Sequence, residues 1–381
     1  MCQQRTDRPA FDACVNIVCL SMKKTILHII DDLGRGGAET MLVTVTKQLG
    51  EYNNIIVTLF DKNEFGEELK CDQQICLNLS SSYLQFPSAV IRLRKIIKEN
   101  KVDVVHSHLF WSTIIARVAT PKRIPLITTI HAFVASSLEY RPWRMRLMER
   151  LSYQFHKSII LAVAKGAMDE YFDFIKVKPH KTSLLYTFVD PIVFKDDVVS
   201  SKDDQSSSFK VVCVGNLKEQ KNHKFLLEAF QNLKQENIVL DIYGRGTLKP
   251  SLQKVIDEQN LNVNLKGQVT DIQNHLPHYD LFVMSSLYEG FALSVLEAMA
   301  MRMPMLLSDI ESFKEQCADT AMYFDLGNTE DFIMKLKTAK QNKSKLEKLG
   351  AAAKQRVLEN FTLDKHLQQL KGIYADALLT S

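Results

Sequence analysis

A chain of 381 residues with 46% apolar and 24% charged side chains is globular and long enough to bury two cores. Its formal charge of +4 carries no polybasic tract, which removes the usual signature of a nucleic-acid partner. The 7 cysteines show neither CxxC nor Cys/His ligand spacing, and no apolar run approaches the ~18 to 20 residues of a spanning helix. The expectation is a cytoplasmic protein in a reducing compartment, without structural zinc.

Residues 1–21 hold a short apolar patch, Ala13 to Leu20, interrupted by Asn16; this fits a secretion signal poorly and reads as a disordered extension. After Met22-Lys23-Lys24, short β-branched runs alternate with longer helical patterns, the order expected of βα units and parallel sheets. Strand-like runs fall at Ile26 to Ile30, Ile55 to Phe60, Val102 to Ser107, Leu126 to Ile130 and Ile159 to Val163. A second set falls at Val211 to Gly215, Val239 to Gly244, Leu281 to Ser285 and Met305 to Ser308. Between the sets, residues 196–208 replace apolar periodicity with Lys, Asp and Ser206-Ser207-Ser208, a linker composition. This gives an α/β chain with a first domain over 22–195 and a second over 209–361. The pattern breaks again near Asn360-Phe361-Thr362, where Thr362 can cap a last helix over 362–378.

Several stretches carry chemistry. Gly34-Arg35-Gly36-Gly37-Ala38-Glu39 follows a strand and opens a helical pattern. It is either a plain turn or a loop whose bare backbone approaches a ligand. Glu39 occupies the third glycine slot of G-x-G-x-x-G, and no G-x-x-x-x-G-K-[ST] occurs, so dinucleotide and Walker readings lack their fingerprints. His106 and His108 end one predicted strand and His131 the next, the end at which open α/β sheets bind ligands. The first two lack a complementary Asp, Glu or Cys and read as buried imidazoles satisfied by neighbours; His131 is placed to donate to a substrate hydroxyl.

In Val214-Gly215-Asn216-Leu217-Lys218-Glu219-Gln220-Lys221, Lys221 is positioned to meet phosphate as a point charge, or else is a surface lysine. Gly244-Arg245-Gly246 leaves room for a nucleoside ring, or is an ordinary turn. Glu289 and Glu297 stand eight positions apart around Gly290. If both were helical they would be about 12 Å apart along the axis, but Gly290 puts Glu289 ahead of the helix. Amides at that helix start can take phosphates while the carboxylates hold sugar hydroxyls at either end of one long ligand. Finally, Arg141 to Arg150 interleaves basic and large apolar side chains. It either rests on an anionic membrane surface or is a solvated face with Trp143 and Leu147 packed inward.

Together these residues resemble the family 4 retaining glycosyltransferases, from Met22 to about Leu378. The most specific element is the E-x7-E signature, Glu289-Gly290-Phe291 to Glu297-Ala298-Met299. Gly36-Gly37-Ala38-Glu39, His106-Ser107-His108, Thr129-Ile130-His131 and Gly215-x-Leu217-x-x-x-Lys221 support it. The resemblance implies two facing Rossmann-like domains with parallel sheets, the GT-B arrangement, and a last helix crossing back to the first domain. The second domain would bind a UDP- or GDP-linked sugar and the first a glycan or polyprenyl-linked acceptor, in surface polysaccharide biosynthesis. Glu297 would hold ribose hydroxyls, the Phe291, Ala292, Leu293 and Ser294 amides the diphosphate, and Glu289 the donor sugar. Lys221 would neutralise leaving-group charge, His131 would stand near the reacting centre, and Gly36-Gly37 would approach the phosphates. No metal or cofactor is implied, and peripheral contact with the inner face of an anionic membrane is.

Two departures stand out. Asn216 sits where the family often has Arg, with Arg245 or Lys218 as candidate replacements. Tyr186-Thr187-Phe188-Val189-Asp190 replaces Asn-Gly-Val/Ile-Asp at the domain junction. The rival readings are a nucleotide-sugar epimerase and a non-catalytic sugar-nucleotide-binding protein.

Overall fold

The structure, a computed structural model, describes residues 23–80, 85–131, 133, 142–190, 193–194 and 208–379. The expected extension over 1–21 and linker residues 196–207 lie outside the described residues.

In the first half the elements run β1 (Thr25–Ile30), α1 (Gly37–Gln48), β2 (Asn53–Thr58), β3 (Gln73–Cys76), α2 (Phe86–Glu99), β4 (Val104–His108) and α3 (Phe110–Ala119). They continue through β5 (Leu126–Ile130), α4 (Trp143–Phe155), β6 (Ile159–Ala162), α5 (Lys165–Ile175) and β7 (Lys181–Leu184). The second half runs β8 (Phe209–Val214), α6 (His223–Gln231), β9 (Ile238–Tyr243), α7 (Lys249–Gln259), β10 (Val263–Gly267), α8 (Ile272–His275) and β11 (Leu281–Met284). After it come α9 (Leu293–Ala300), β12 (Met305–Ser308), α10 (Glu311–Cys317), β13 (Met322–Phe324), α11 (Thr329–Gln341), α12 (Lys343–Asn360) and α13 (Leu363–Leu379).

The seven-stranded sheet has the order β3-β2-β1-β4-β5-β6-β7 and the six-stranded sheet β10-β9-β8-β11-β12-β13, with every pairing parallel. All the strand-like runs read from the sequence are strands. The four it missed, β3, β7, β10 and β13, are the sheet edges. An edge strand is buried on fewer sides, so Gln73, Lys181 and Lys266 are tolerated where a central strand such as Leu281–Met284 must be apolar throughout.

Strand order reverses between β1 and β4 in one sheet and between β8 and β11 in the other. At such switch points the loops leaving adjacent strands diverge and open a crevice. The loops concerned begin with Asp31 and Leu109 in the first sheet, and with Gly215 and Ser285 in the second. Helix α13 returns to the first domain, where Leu363, Leu367, Leu370 and Tyr374 pack with Ile26, Met41 and Val45. The two chain crossings lie side by side: Val189 N–H donates to Phe361 O at 2.9 Å and Leu363 N–H to Val189 O at 3.1 Å. At the junction the Tyr186 ring contacts Phe291 and Phe361, with centroids 5.2 and 5.3 Å away. Among the described residues no helix is long and apolar enough to cross a membrane.

Candidate active site between the two domains

The second-domain wall is built on the switch point of its sheet. Beyond β8, Lys221 turns back over Gly215, where an added Cβ would lie 3.3 Å from its side chain. Gly244 ends β9 so close behind that a Cβ there would sit 2.0 Å from Gly215 O, so the two loops can nest only with glycine. Lys221 Nζ donates to Glu289 Oε1 at 2.6 Å, Ser286 Oγ donates to the same oxygen at 2.6 Å, and Gln220 Nε2 donates to Oε2 at 3.3 Å. Glu289 is thus buried but fully matched. The separate roles expected of Glu289 and Lys221 fall on one ion pair, and any ligand meets them as a unit.

Glu289 precedes α9, as Gly290 required, and Glu297 lies within it. Ala292 is the N-cap: its carbonyl accepts from Val295 and Leu296. Its own N–H is spent on Gln316 Oε1 at 3.1 Å, while Gln316 Nε2 donates back to Ala292 O at 2.9 Å. This corrects the expected role of Ala292, because a buried amide already holding a glutamine oxygen is not available to phosphate. The Leu293 and Ser294 amides make no hydrogen bond among the described residues, as the first turn of a helix leaves them. The Phe291 ring is packed into the domain junction, against Tyr186 and Phe361. The Glu297 carboxylate makes no hydrogen bond or ion pair among the described residues, and burial pushes it up to about 7.

Inside the first domain, behind its side of the cleft, lies a cluster of imidazoles. β1 places His28 beside His106, its register partner on β4, and His108 follows two residues later on the same face. His106 contacts Tyr374 Oη at 2.8 Å and Thr129 Oγ1 at 2.7 Å; His108 Nδ1 lies 3.2 Å from His131 Nε2. With His366 they line a cavity of about 30 Å³ under α1 and α13. Burial holds His28, His131 and His366 down near 4 and His106 and His108 well below the usual range, so all are neutral at pH 7.

His28 was missed by sequence reasoning; a histidine inside the apolar run Thr25–Ile30 was its one signal. It supplies the third ligand that the spacing of His106 and His108 lacked, with the three groups' nitrogens within 4.8 Å of one another. Both nitrogens of His106 are already committed, so the trio offers a metal only two free imidazoles without breaking a hydrogen bond. The expectation that His106 and His108 are satisfied by their neighbours holds for His106 and fails for Nε2 of His108; the nitrogens of His28, beside Asn54, make no hydrogen bond of good geometry among the described residues either.

Across the cleft, Gly36 caps α1 and Gly37 is bare, with nothing within 4 Å of where its Cβ would be. The Glu39 carboxylate folds back against Gly36 and is pushed up to about 7, chiefly by burial, with Asp32 and Asp31 adding to it and Lys218 opposing. Arg245 spans the gap to pair with Glu64 of the first domain at 2.5 Å, and Glu64 also accepts from Arg35 N–H at 3.1 Å. Glu315 on α10 accepts from the Lys165 and Gly166 amides at the start of α5. Arg245, one of the two cations that were candidates to replace an arginine at Asn216, is therefore engaged as a strut between domains. Trp143 and Leu147, read as packing inward in one alternative, are exposed.

Paired parallel sheets, with a helix start, a cation and two carboxylates at the crevice between them, define the GT-B class of glycosyltransferases. The family described as "Glycosyl transferases group 1" matches residues 195–356 and "Glycosyltransferase Family 4" matches residues 35–192. The chain belongs to the family 4 glycosyltransferases. It is 25% identical over 327 residues to the Escherichia coli UDP-Gal:alpha-D-GlcNAc-diphosphoundecaprenol alpha-1,3-galactosyltransferase, covering 80% of this chain and 83% of that one. It is 24% identical over 298 residues (74% and 80% of the two chains) to a Campylobacter jejuni N-acetylgalactosaminyltransferase named for a diphospho-undecaprenol acceptor. In fold it is similar to the Anabaena protein Alr3699/HepE solved with UDP and glucose, with a TM-score of 0.81 at 16% identity over 92% of this chain and 99% of that one. It is also 22% identical over 371 residues, 92% of this chain and 97% of that one, to the Escherichia coli O-antigen biosynthesis glycosyltransferase WclY.

Proposed function

We propose that this protein is a retaining, metal-independent transferase that moves a hexose-type sugar from a UDP- or GDP-linked donor to a polyprenyl-linked or glycan acceptor. One observation carries the reading. The unspent Leu293 and Ser294 amides open α9 between the Lys221–Glu289 pair on one side and the unpartnered Glu297 carboxylate on the other. A helix N-terminus favours the diphosphate through its N–H groups and dipole. Lys221 then meets the charge that develops on the leaving phosphate, the role a metal plays elsewhere, and Glu297 accepts from ribose hydroxyls. Glu289 holds the sugar end, and neutral His131 can donate to or accept from a hydroxyl there. The E. coli and C. jejuni relatives, named for diphosphoundecaprenol acceptors, support a lipid-linked acceptor and so a protein working at the inner face of a membrane.

The test is a panel of nucleotide sugars scored by thermal stabilisation, since a ligand that binds the folded state raises its melting point. Transfer from the best binder would follow, with the anomeric configuration of the product read by NMR. An inverted product removes the retaining assignment. Donor interconversion without acceptor would turn the reading to an epimerase, and binding without turnover to a receptor.

A further inference from the structure

Helix α4 is held to the first domain by an apolar seam of Met145, Met148 and Tyr153 and by a buried ion pair. Arg117 Nη1 meets Glu149 Oε1 at 2.6 Å with both side chains fully enclosed, and Tyr171 Oη donates to the same oxygen at 2.5 Å. Glu149 is the only acidic residue of α4, so its burial leaves Arg144, Arg146 and Arg150 on the exposed surface with no negative side chain of the helix among them. Along the same helix Trp143, Leu147, Leu151 and Phe155 are 63%, 42%, 53% and 53% exposed. They recur every four residues, which places them on one inclined row. A lone exposed leucine means little, but four large apolar side chains in a row form a ridge that water disfavours.

The ridge does not end in neutral surface. The turn after α3 sets Lys122 over the Phe155 ring at 5.8 Å, and the next residue, Arg123, enters a groove of about 640 Å³. Lys24, Arg94, Lys98 and Lys101 line that groove, with Asp103 as its one acid, already paired to Lys24 at 2.9 Å. The groove lies at the amino ends of β1, β4 and β5, and α4 runs back toward it from the carboxyl end of β5, where His131 meets the cleft. At 1.5 Å per residue the helix spans about 18 Å. The apolar ridge thus leads from the mouth of the active site to a basic trough.

We propose that the row Trp143-Leu147-Leu151-Phe155, with the Lys98/Lys101/Arg123 groove, is the surface on which the protein lies against an anionic phospholipid bilayer. The apolar row enters the acyl boundary, the arginines of α4 and the groove cations sit at lipid phosphates, and the cleft opens at the headgroup level beside Trp143. This deepens the reading of a lipid-linked acceptor and rests on it for its purpose. The acceptor's diphosphate and first sugars would reach the cleft while its polyprenyl tail stays in the bilayer.

Flotation of the full chain with vesicles of phosphatidylcholine alone, or mixed with phosphatidylglycerol, tests this. The protein should float with the mixed vesicles, and less so as salt is raised. Replacing the row (Trp143→Ser, Leu147→Ser, Leu151→Ser, Phe155→Ser) should abolish flotation on both. Reversing the groove (Lys98→Glu, Lys101→Glu, Arg123→Glu) should weaken binding to the mixed vesicles by roughly 100-fold. Both variants should keep the melting temperature and the donor stabilisation of the parent, because every changed side chain is outside the cleft. A parent that ignores anionic vesicles, or a row variant that floats like the parent, overturns the proposal. So does a row variant that only changes the oligomeric state while the parent never floats, which would make the ridge a self-association face. Flotation as expected with no donor binding would instead sink the transferase reading and leave the surface standing.

Discussion

The two walls of the cleft handle buried polarity in opposite ways. On the second-domain wall Glu289 is matched by Lys221, Ser286 and Gln220, while the Glu297 carboxylate has no partner among the described residues and is pushed up to about 7 by burial. On the first-domain wall five imidazoles share one pocket, and burial keeps each of them neutral. A wall with a cation, a helix start and an unspent carboxylate is equipped for a charged, hydroxylated ligand. Neutral imidazoles can only exchange hydrogen bonds, and since His28, His106, His108 and His366 are buried, His131 is the one of the five open to orienting a ligand hydroxyl.

The strongest way to break this contrast is Lys221→Ala, which removes the cation and leaves Glu289 buried without its ion-pair partner. Turnover should fall by about 100- to 1,000-fold, and an unchanged rate would mean that charge is handled elsewhere. Next, Glu297→Gln should weaken donor binding by about 10- to 100-fold at pH 8. Because Glu297 ionises only near 7, donor affinity of the parent should rise between pH 6 and pH 8 and that of the variant should stay flat. Calorimetric titration across that range decides it; a flat parent profile removes Glu297 from the ribose site.

On the opposite wall the folded-state pKa values are depressed, so the unfolded chain binds the extra protons. The stability that this wall contributes is present above about 6.5 and is lost as pH falls toward about 4. His28→Leu removes a buried imidazole whose one polar neighbour, Asn54, it does not bond with good geometry, and should stabilise the fold by about 1 kcal/mol at neutral pH, and by more at pH 5. Melting curves at the two pH values check it, and equal destabilisation at both would show that His28 is held by its surroundings after all. The smallest effect is expected of Asn216→Arg, a gain in donor affinity of about three- to tenfold that salt erases. A loss of affinity would mean that no place for a second cation exists beside Lys221.

Much of the fold was legible because central strands must be apolar on both faces, and that requirement is written locally in runs such as Ile26 to Ile30 and Leu281 to Met284. The edge strands were not, since half-exposed segments such as Lys181–Leu184 carry no such constraint. The E-x7-E segment was legible for a similar reason: a glycine-bearing turn before an apolar helix announces itself over a dozen residues. Gln316, 24 positions from the Ala292 amide that it occupies, announces nothing, because its role exists only once α10 packs beside α9.

The sequence by itself determined the alternation of strands and helices, the break between two sheets, and the loops that leave each strand, because these follow from periodicity and turn chemistry within a few residues. Tertiary structure alone decided which side chains share a pocket: His28 meets His106 because β1 and β4 are neighbours, Lys221 meets Glu289 across 68 positions, and Arg245 reaches Glu64 across 181. It also decided that Glu149 is enclosed while Trp143 is not. Burial and pairing depend on distances between segments remote in the chain, and no local pattern records those distances.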